Sequence, residues 1–213
     1  MSAWPPEAPR DCPLCPRLVD YRLENARQNP GWFNGAAPSF GDPEARLLVA
    51  GLAPGRTGAN RTGRPFTGDH AGWLLYETLL TTGFARGRYD PNGDDDLELV
   101  DCMITNAVRC APPGNKPLPA EEATCRPFLQ ARLAALPRLR VIITLGDVSR
   151  RNVLKTLGKP ASAMPAGHGS EAAVGPYVLL NSYHCSRLNT NTGRLTASMF
   201  EEVFRRARTL VEN

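Results

Sequence analysis

RLLVAG at Arg46–Gly51, LVDCMITNAV at Leu99–Val108, RVIITLG at Arg140–Gly146 and YVLLNSY at Tyr177–Tyr183 are the four apolar runs that decide the fold. Each is continuous rather than alternating and is followed by turn residues. A strand buried on both faces reads this way, and such strands belong to parallel sheets. Helical patterns fill the intervals. Asp69–Thr82 puts Trp73, Tyr76, Leu79 and Leu80 on one face and stops at Gly83. Pro119–Leu136 opens with proline, Glu121 and Glu122, and Pro127 is expected to kink or split it. Asp147–Leu157 ends at Gly158, and Thr196–Val211 turns Met199, Val203, Ala207 and Leu210 inward, its glutamates first and its arginines last. Strands alternating with helices predict an α/β fold: a three-layer α/β/α sandwich around a central four-stranded parallel sheet. Sites in such folds lie at the carboxyl ends of the strands. The segments there are Gly51–Asp69, Asn106–Lys116 and His184–Arg194.

The 213 residues suffice for one domain, with an irregular N-terminal segment to about residue 42 that holds one helical stretch near Pro16–Gln28. Hydrophobic residues at 42% and charged residues at 22% exclude long disorder. Met1–Arg10 has no apolar leader core, and no run approaches the roughly 18 apolar residues of a membrane span. A cytoplasmic, monomeric protein is expected. The net charge of +4 permits a polyanionic partner without identifying one. The lysines are only Lys116, Lys155 and Lys159, and the other basic residues are arginines, which suit bidentate phosphate contact. Arg86–Asp96 reads as an exposed loop.

Six cysteines in a cytosolic chain call for metal binding, catalysis or packing rather than disulfides. Cys12 and Cys15 form a C-x-x-C that precedes the first strand, which argues against a redox pair opening a helix. Cys110 and Cys125 lie far downstream and are not a second close pair, as a zinc ribbon would prefer. Spacing therefore points to a four-thiolate metal centre and leaves zinc and an iron–sulfur cluster both open. Cys102 lies inside an apolar strand and reads as packing. Cys185 follows His184, but neighbours on an extended chain point to opposite sides, so no Cys–His nucleophile pair is expected.

GLAPG at Gly51–Gly55 follows a strand but satisfies neither a Walker A loop nor a dinucleotide fingerprint. On composition alone the loop reads equally as a surface turn or as a phosphate- or base-approaching segment. Taken together, GLAPG, NRTGRPFTGD at Asn60–Asp69, VRCAPPGNKP at Val108–Pro117 and SYHCSRLNTNTGRLT at Ser182–Thr196 resemble the signature segments of family 5 uracil-DNA glycosylases. The resemblance runs from Cys12 to about Met199. It implies the uracil-DNA glycosylase fold, and a 4Fe-4S cluster on Cys12, Cys15, Cys110 and Cys125 of the kind shared with family 4. It also implies a DNA partner carrying uracil or other deaminated bases.

That resemblance assigns roles residue by residue. Phe66 would stack on a flipped base, His184 would contact a pyrimidine carbonyl, and Asn115 matches an asparagine linked to activity. Gly51, Leu52 and Ala53 would approach the base without supplying a polar side chain, so the carboxylate must come from Asp69. Asp69 also stands where a helix N-cap belongs, and a capping carboxylate is expected to have a lowered pKa. Asn106 resembles the base-reading asparagine of family 4 and departs from a non-polar position expected in many family 5 members. Leu188 would enter the minor groove as a wedge, with Arg187, Ser186, Arg61 and Arg194 toward the DNA backbone. With Lys116 read as a phosphate contact, a monofunctional hydrolase is expected. The rival readings are a non-catalytic iron–sulfur protein that binds DNA or senses redox state, and a phosphate-ester hydrolase needing metal-binding carboxylates near the glycine loop.

Overall fold

The computed structural model describes residues 4–212. In chain order the elements are α1 (Pro16–Gln28), β1 (Phe40–Gly41), β2 (Leu47–Gly51), α2 (Ala59–Thr62), α3 (His70–Thr81), β3 (Ala85–Arg86), β4 (Glu98–Leu99) and β5 (Cys102–Asn106). They continue with α4 (Pro119–Ala134), β6 (Val141–Leu145), α5 (Asp147–Thr156), β7 (Ser170–Val174), β8 (Tyr177–Ser182), α6 (Arg187–Asn191) and α7 (Ala197–Glu212). The main sheet runs β1-β5-β2-β6-β8-β7. Its four central strands, β5, β2, β6 and β8, are parallel and come from the four apolar runs. β1 and β7 close the edges antiparallel, a feature the apolar runs did not announce.

Strand alternation explains the two cores. Leu47 and Val49 of β2 face α3 and α7, where Leu75, Leu79, Phe200 and Phe204 pack. Leu48 and Ala50 face α4 and α5, against Leu129, Leu133, Val153 and Leu154. Register then sets the position of the site: Gly51 pairs with Asn106 and Leu145 with Ser182, so neighbouring strands end level and their loops open on one edge.

Four local expectations are corrected. The run Leu99–Val108 is interrupted by Asp101 at φ +55, which gives Leu99 to a two-stranded ribbon with β3 and leaves Cys102–Asn106 in the main sheet. Pro127 neither splits nor ends its helix. Burial of Cys125, Phe128, Leu129 and Leu133 along α4 outweighs the one hydrogen bond that proline forfeits. Trp73 is 48% exposed rather than core, its ring standing edge-on to Tyr89 at 5.3 Å. The loop before β4 is exposed at most positions, as expected, but not throughout. Tyr89 is buried, and Asp95 turns inward to pair with Arg64 at 2.6 Å, beneath the rings of Phe40, Tyr76 and Tyr89. Among the described residues no helix is long and apolar enough to cross a membrane.

Candidate active site

The loops after β2, β5 and β8 converge on a cavity of about 610 Å³. Its floor depends on Gly51. A Cβ there would overlap Asn106 Oδ1 and come within 2.7 Å of Phe66 Cζ, so only glycine lets those two side chains meet over the strand end. Asn106 is buried, lines the cavity, and its Oδ1 has no hydrogen-bond partner among the described residues. Phe66 sits at φ +58, a conformation a phenylalanine avoids. Two phenols hold the turn in place: Tyr76 donates to the Pro65 carbonyl at 2.6 Å and Tyr89 to that of Phe66 at 3.4 Å. The ring of Phe66 lies 6.1 Å from that of His184, tilted by 31°.

Asp69 caps α3, its Oδ1 accepting from the Gly72 amide at 3.2 Å. Oδ2 lies over the glycine loop, where a Cβ on Gly58 would stand 2.7 Å away. The expected lowering of its pKa is overturned. Burial pushes the Asp69 carboxyl up, and the amides of Gly72 and Ala71, with His70 nearby, only partly oppose this. A cap on an exposed helix keeps its hydration, whereas this one lies under a folded loop. Burial pushes the His184 imidazole down, so it is neutral at neutral pH. The His184 side chain has no hydrogen-bond partner among the described residues, while its carbonyl accepts from Asn189 Nδ2 at 2.8 Å. Cys185 is fully buried in the sheet core, and that burial pushes its thiol up.

Leu52, Ala53, Ser186 and Arg187 line the same cavity, and Asn115 joins its rim from an exposed turn at φ +57. Ser186 caps the short α6, and Leu188 projects from it with 72% of its surface exposed. Arg61 and Arg194 do not reach this cavity. Arg61 Nη1 donates to Asn92 Oδ1 at 2.9 Å, and the Arg194 guanidinium lies 4.4 Å from the Tyr183 ring centre. Sequence reading overlooked His70, whose Nε2 is 2.9 Å from Thr190 Oγ1 and ties the start of α3 to α6. Its only signal was adjacency to Asp69.

The four predicted cysteines converge on a second, small cavity beside Leu18, Val108 and Phe128. Among the described residues no three His, Cys, Asp or Glu side chains are grouped to hold one metal ion. Arg22 Nη1 is 3.8 Å from Cys110 Sγ, and the Arg109 amide donates to Cys125 Sγ at 3.3 Å. Burial, reinforced by the neighbouring thiols, pushes Cys110 up to about 12 and Cys125 up to about 11. Cys102 is buried elsewhere in the sheet core, as its apolar surroundings predict. The N-terminal segment is tied down here. Glu7 accepts from buried Arg109 at 2.8 Å and from Arg132, and Arg17 pairs with Glu121 at 2.8 Å.

A parallel α/β sandwich with an aspartate, an asparagine, an aromatic ring and a neutral histidine at its strand ends defines a class of protein, and residues 38–208 give that class its name. They match the Uracil DNA glycosylase superfamily, and the chain belongs to it. Within that superfamily it is similar to the type-5 uracil-DNA glycosylase of Thermus thermophilus, 47% identical over 206 residues that span 93% of each protein. The type-5 uracil-DNA glycosylase of Pyrobaculum aerophilum is 41% identical over 92% of this chain and 88% of its own length. The type-4 uracil-DNA glycosylase of the same organism is more distant, at 32% over 73% of this chain and 65% of its own length.

Proposed function

We propose that this protein is a monofunctional DNA repair glycosylase that removes uracil, and other deaminated bases presenting the same edge, by hydrolysing the bond between the base nitrogen and C1′. Water supplies the hydroxyl that ends on C1′, the base leaves with the bonding pair and takes up a proton, and an abasic site remains. The observation that carries this reading is the buried, unpartnered Oδ1 of Asn106 in a cavity walled by Phe66, Asp69 and His184.

The glycosidic bond is inaccessible in a stacked duplex, so the nucleotide must flip into the cavity. There the N3–H of uracil satisfies Asn106 Oδ1, and its O4 accepts from the same amide. Cytosine offers the reverse pattern and would bury two mismatched pairs. Phe66 gives the base a ring to lie against. The neutral His184 imidazole donates an N–H to the pyrimidine carbonyl on which negative charge gathers as the bond breaks. Asp69 keeps Oδ1 on the helix cap and leaves Oδ2 for water and for the cationic sugar. Its raised pKa makes it a better proton acceptor than an exposed aspartate. Asn115 contributes from the cavity mouth. Leu188 fills the vacated stack, and Ser186 and Arg187 meet the backbone, with Arg61 farther along. Lys116 is exposed, so nothing desolvates its amine for lyase chemistry.

The same reading gives Cys12, Cys15, Cys110 and Cys125 a 4Fe-4S cluster. Four thiols that line one cavity supply the Cys₄ donor set that such a cluster takes. When bound, the group supplies a covalent clamp between the N-terminal segment and the loops behind Asn106. Iron and acid-labile sulfide analysis of purified protein tests this assignment. The test of the activity is incubation with single- and double-stranded uracil oligonucleotides followed by alkali. Cleavage at uracil is expected, and intact strands in both cases would overturn the reading.

A further inference from the structure

Beside the base cavity lies a second one of about 590 Å³, and Leu52 and His184 form a wall of both. Its other prominent features are the start of α5 at Gly146 and Asp147, the end of β8 at Asn181, and the pair Tyr183 and Arg194. Arg194 is exposed, lies 4.4 Å over the Tyr183 ring, and among the described residues has no hydrogen-bond or carboxylate partner. An exposed guanidinium laid on an aromatic face with no acid to hold it is a flat cationic platform with its outer face free.

Apart from the shared His184, the main polar side chains around that platform are committed. Asn181 accepts from Thr144 Oγ1 at 2.8 Å and donates to the Gly167 carbonyl at 2.7 Å. Ser149 donates to the Ala50 carbonyl at 2.6 Å. Asp147, the one acid on the wall, is paired with Arg150 at 2.8 Å and Arg151 at 2.9 Å, which offsets its repulsion of a phosphate. With His184 engaged by the base in the first cavity, the wall can stack a ligand but offers little to read its edge.

We propose that this cavity is a second nucleotide subsite. It takes the nucleotide adjacent to the excised one on the same strand, with its base stacked on the Arg194 guanidinium and Tyr183 supporting that plane from the other side. The shared wall at His184 sets the two subsites side by side, and the exposed Arg187 at the rim of the first meets the phosphate between them. Because the subsite holds a base by its face, it is indifferent to which base stands there. The inference rests on the glycosylase reading and adds to it a contact to the flanking nucleotide.

The experiment compares uracil release from single-stranded oligonucleotides in which the nucleotide on the 5′ or the 3′ side of uracil is replaced by a tetrahydrofuran abasic analogue. The wild type is expected to lose about tenfold in kcat/KM when the base is missing on one of the two sides, and to accept all four bases there within about twofold. Arg194→Ala should show the same loss on the intact strand and no further loss on the strand lacking that base. Arg194→Lys keeps the charge but not the plane, so it should behave like the alanine variant. Full recovery by Arg194→Lys, or an Arg194→Ala loss that multiplies with removal of the base, would overturn the subsite. The intact strand separates the two ideas: no uracil release from it by the wild type defeats the glycosylase reading, whereas release with no effect of either flank defeats only this one.

Discussion

The loop that leaves β5 serves two regions built on opposite plans. Asn106 faces the base cavity, while Cys110 a few residues on faces the cysteine cavity. Around the cysteines the polar side chains are committed: Arg22 to Cys12 and Cys110, Arg109 and Arg132 to Glu7, Arg17 to Glu121. Around the base cavity they are withheld. Asn106 Oδ1 and the His184 ring have no partner among the described residues, and Leu188 stands out in solvent. A buried polar atom without a partner costs on the order of 1–3 kcal/mol. Near the cysteines the buried atoms left over, Nε of Arg109, Arg126 and Arg132, belong to guanidiniums, and those of Arg109 and Arg132 are paired through their other nitrogens, whereas Asn106 Oδ1 opens on a cavity.

Removing groups from the two regions should therefore give opposite signatures. The largest effect is expected from His184→Ala and Asp69→Asn, which should lower turnover about 100- to 1,000-fold with little change in melting temperature. Asparagine still offers a capping oxygen, so Asp69→Asn separates catalysis from capping. Full activity in either variant would remove that residue from the mechanism. On the cysteine side, Glu7→Gln should cost about 3 kcal/mol of stability while sparing the chemistry, because it strands the buried Arg109 cation. Denaturant titration measures it, and an unchanged midpoint would show that the N-terminal segment is not held this way. Leu188→Ala should lower kcat/KM on duplex DNA about tenfold and leave single-stranded substrate nearly untouched, since only a duplex has a stack to fill.

The smallest effects are in pH. Because burial raises Asp69, the acid limb of the activity profile should lie above the ordinary aspartate pKa of about 3.9, and Asp69→Asn should abolish that limb. Folding and catalysis then pull apart. The ionised form of Asp69 is the one disfavoured in the folded state, so its contribution to stability declines as pH rises through that window. Asp95 behaves in the opposite sense. Hydrogen bonds from Arg64 hold it down to about 2, so the stability it adds is present above about pH 4 and is lost as pH falls toward 2. Acid unfolding of Asp95→Asn against the wild type checks the sign.

By itself the sequence determined the four central strands, the helices between them, the edge of the sheet that carries the site, and the residue types gathered there. These follow from short-range rules: an apolar run is buried whatever packs on it, and a motif keeps its spacing wherever the fold places it. Cys102 was legible as packing for the same reason. Tertiary structure alone decided what depends on neighbours distant in the chain. The edge strands Phe40–Gly41 and Ser170–Val174 have too little pattern of their own and exist because β5 and β8 offer an open edge. The arginine partners of Glu7 lie on β5's loop and on α4, more than a hundred residues away. Asp69 reads locally as a cap with a depressed pKa, yet the glycine loop folded over it removes its water and reverses the sign. Arg194 reads locally as one more phosphate contact, but its place over Tyr183 in a second cavity is set by where β8 ends and α6 returns. Desolvation and side-chain pairing across the chain are properties of the packed molecule, so no local pattern encodes them.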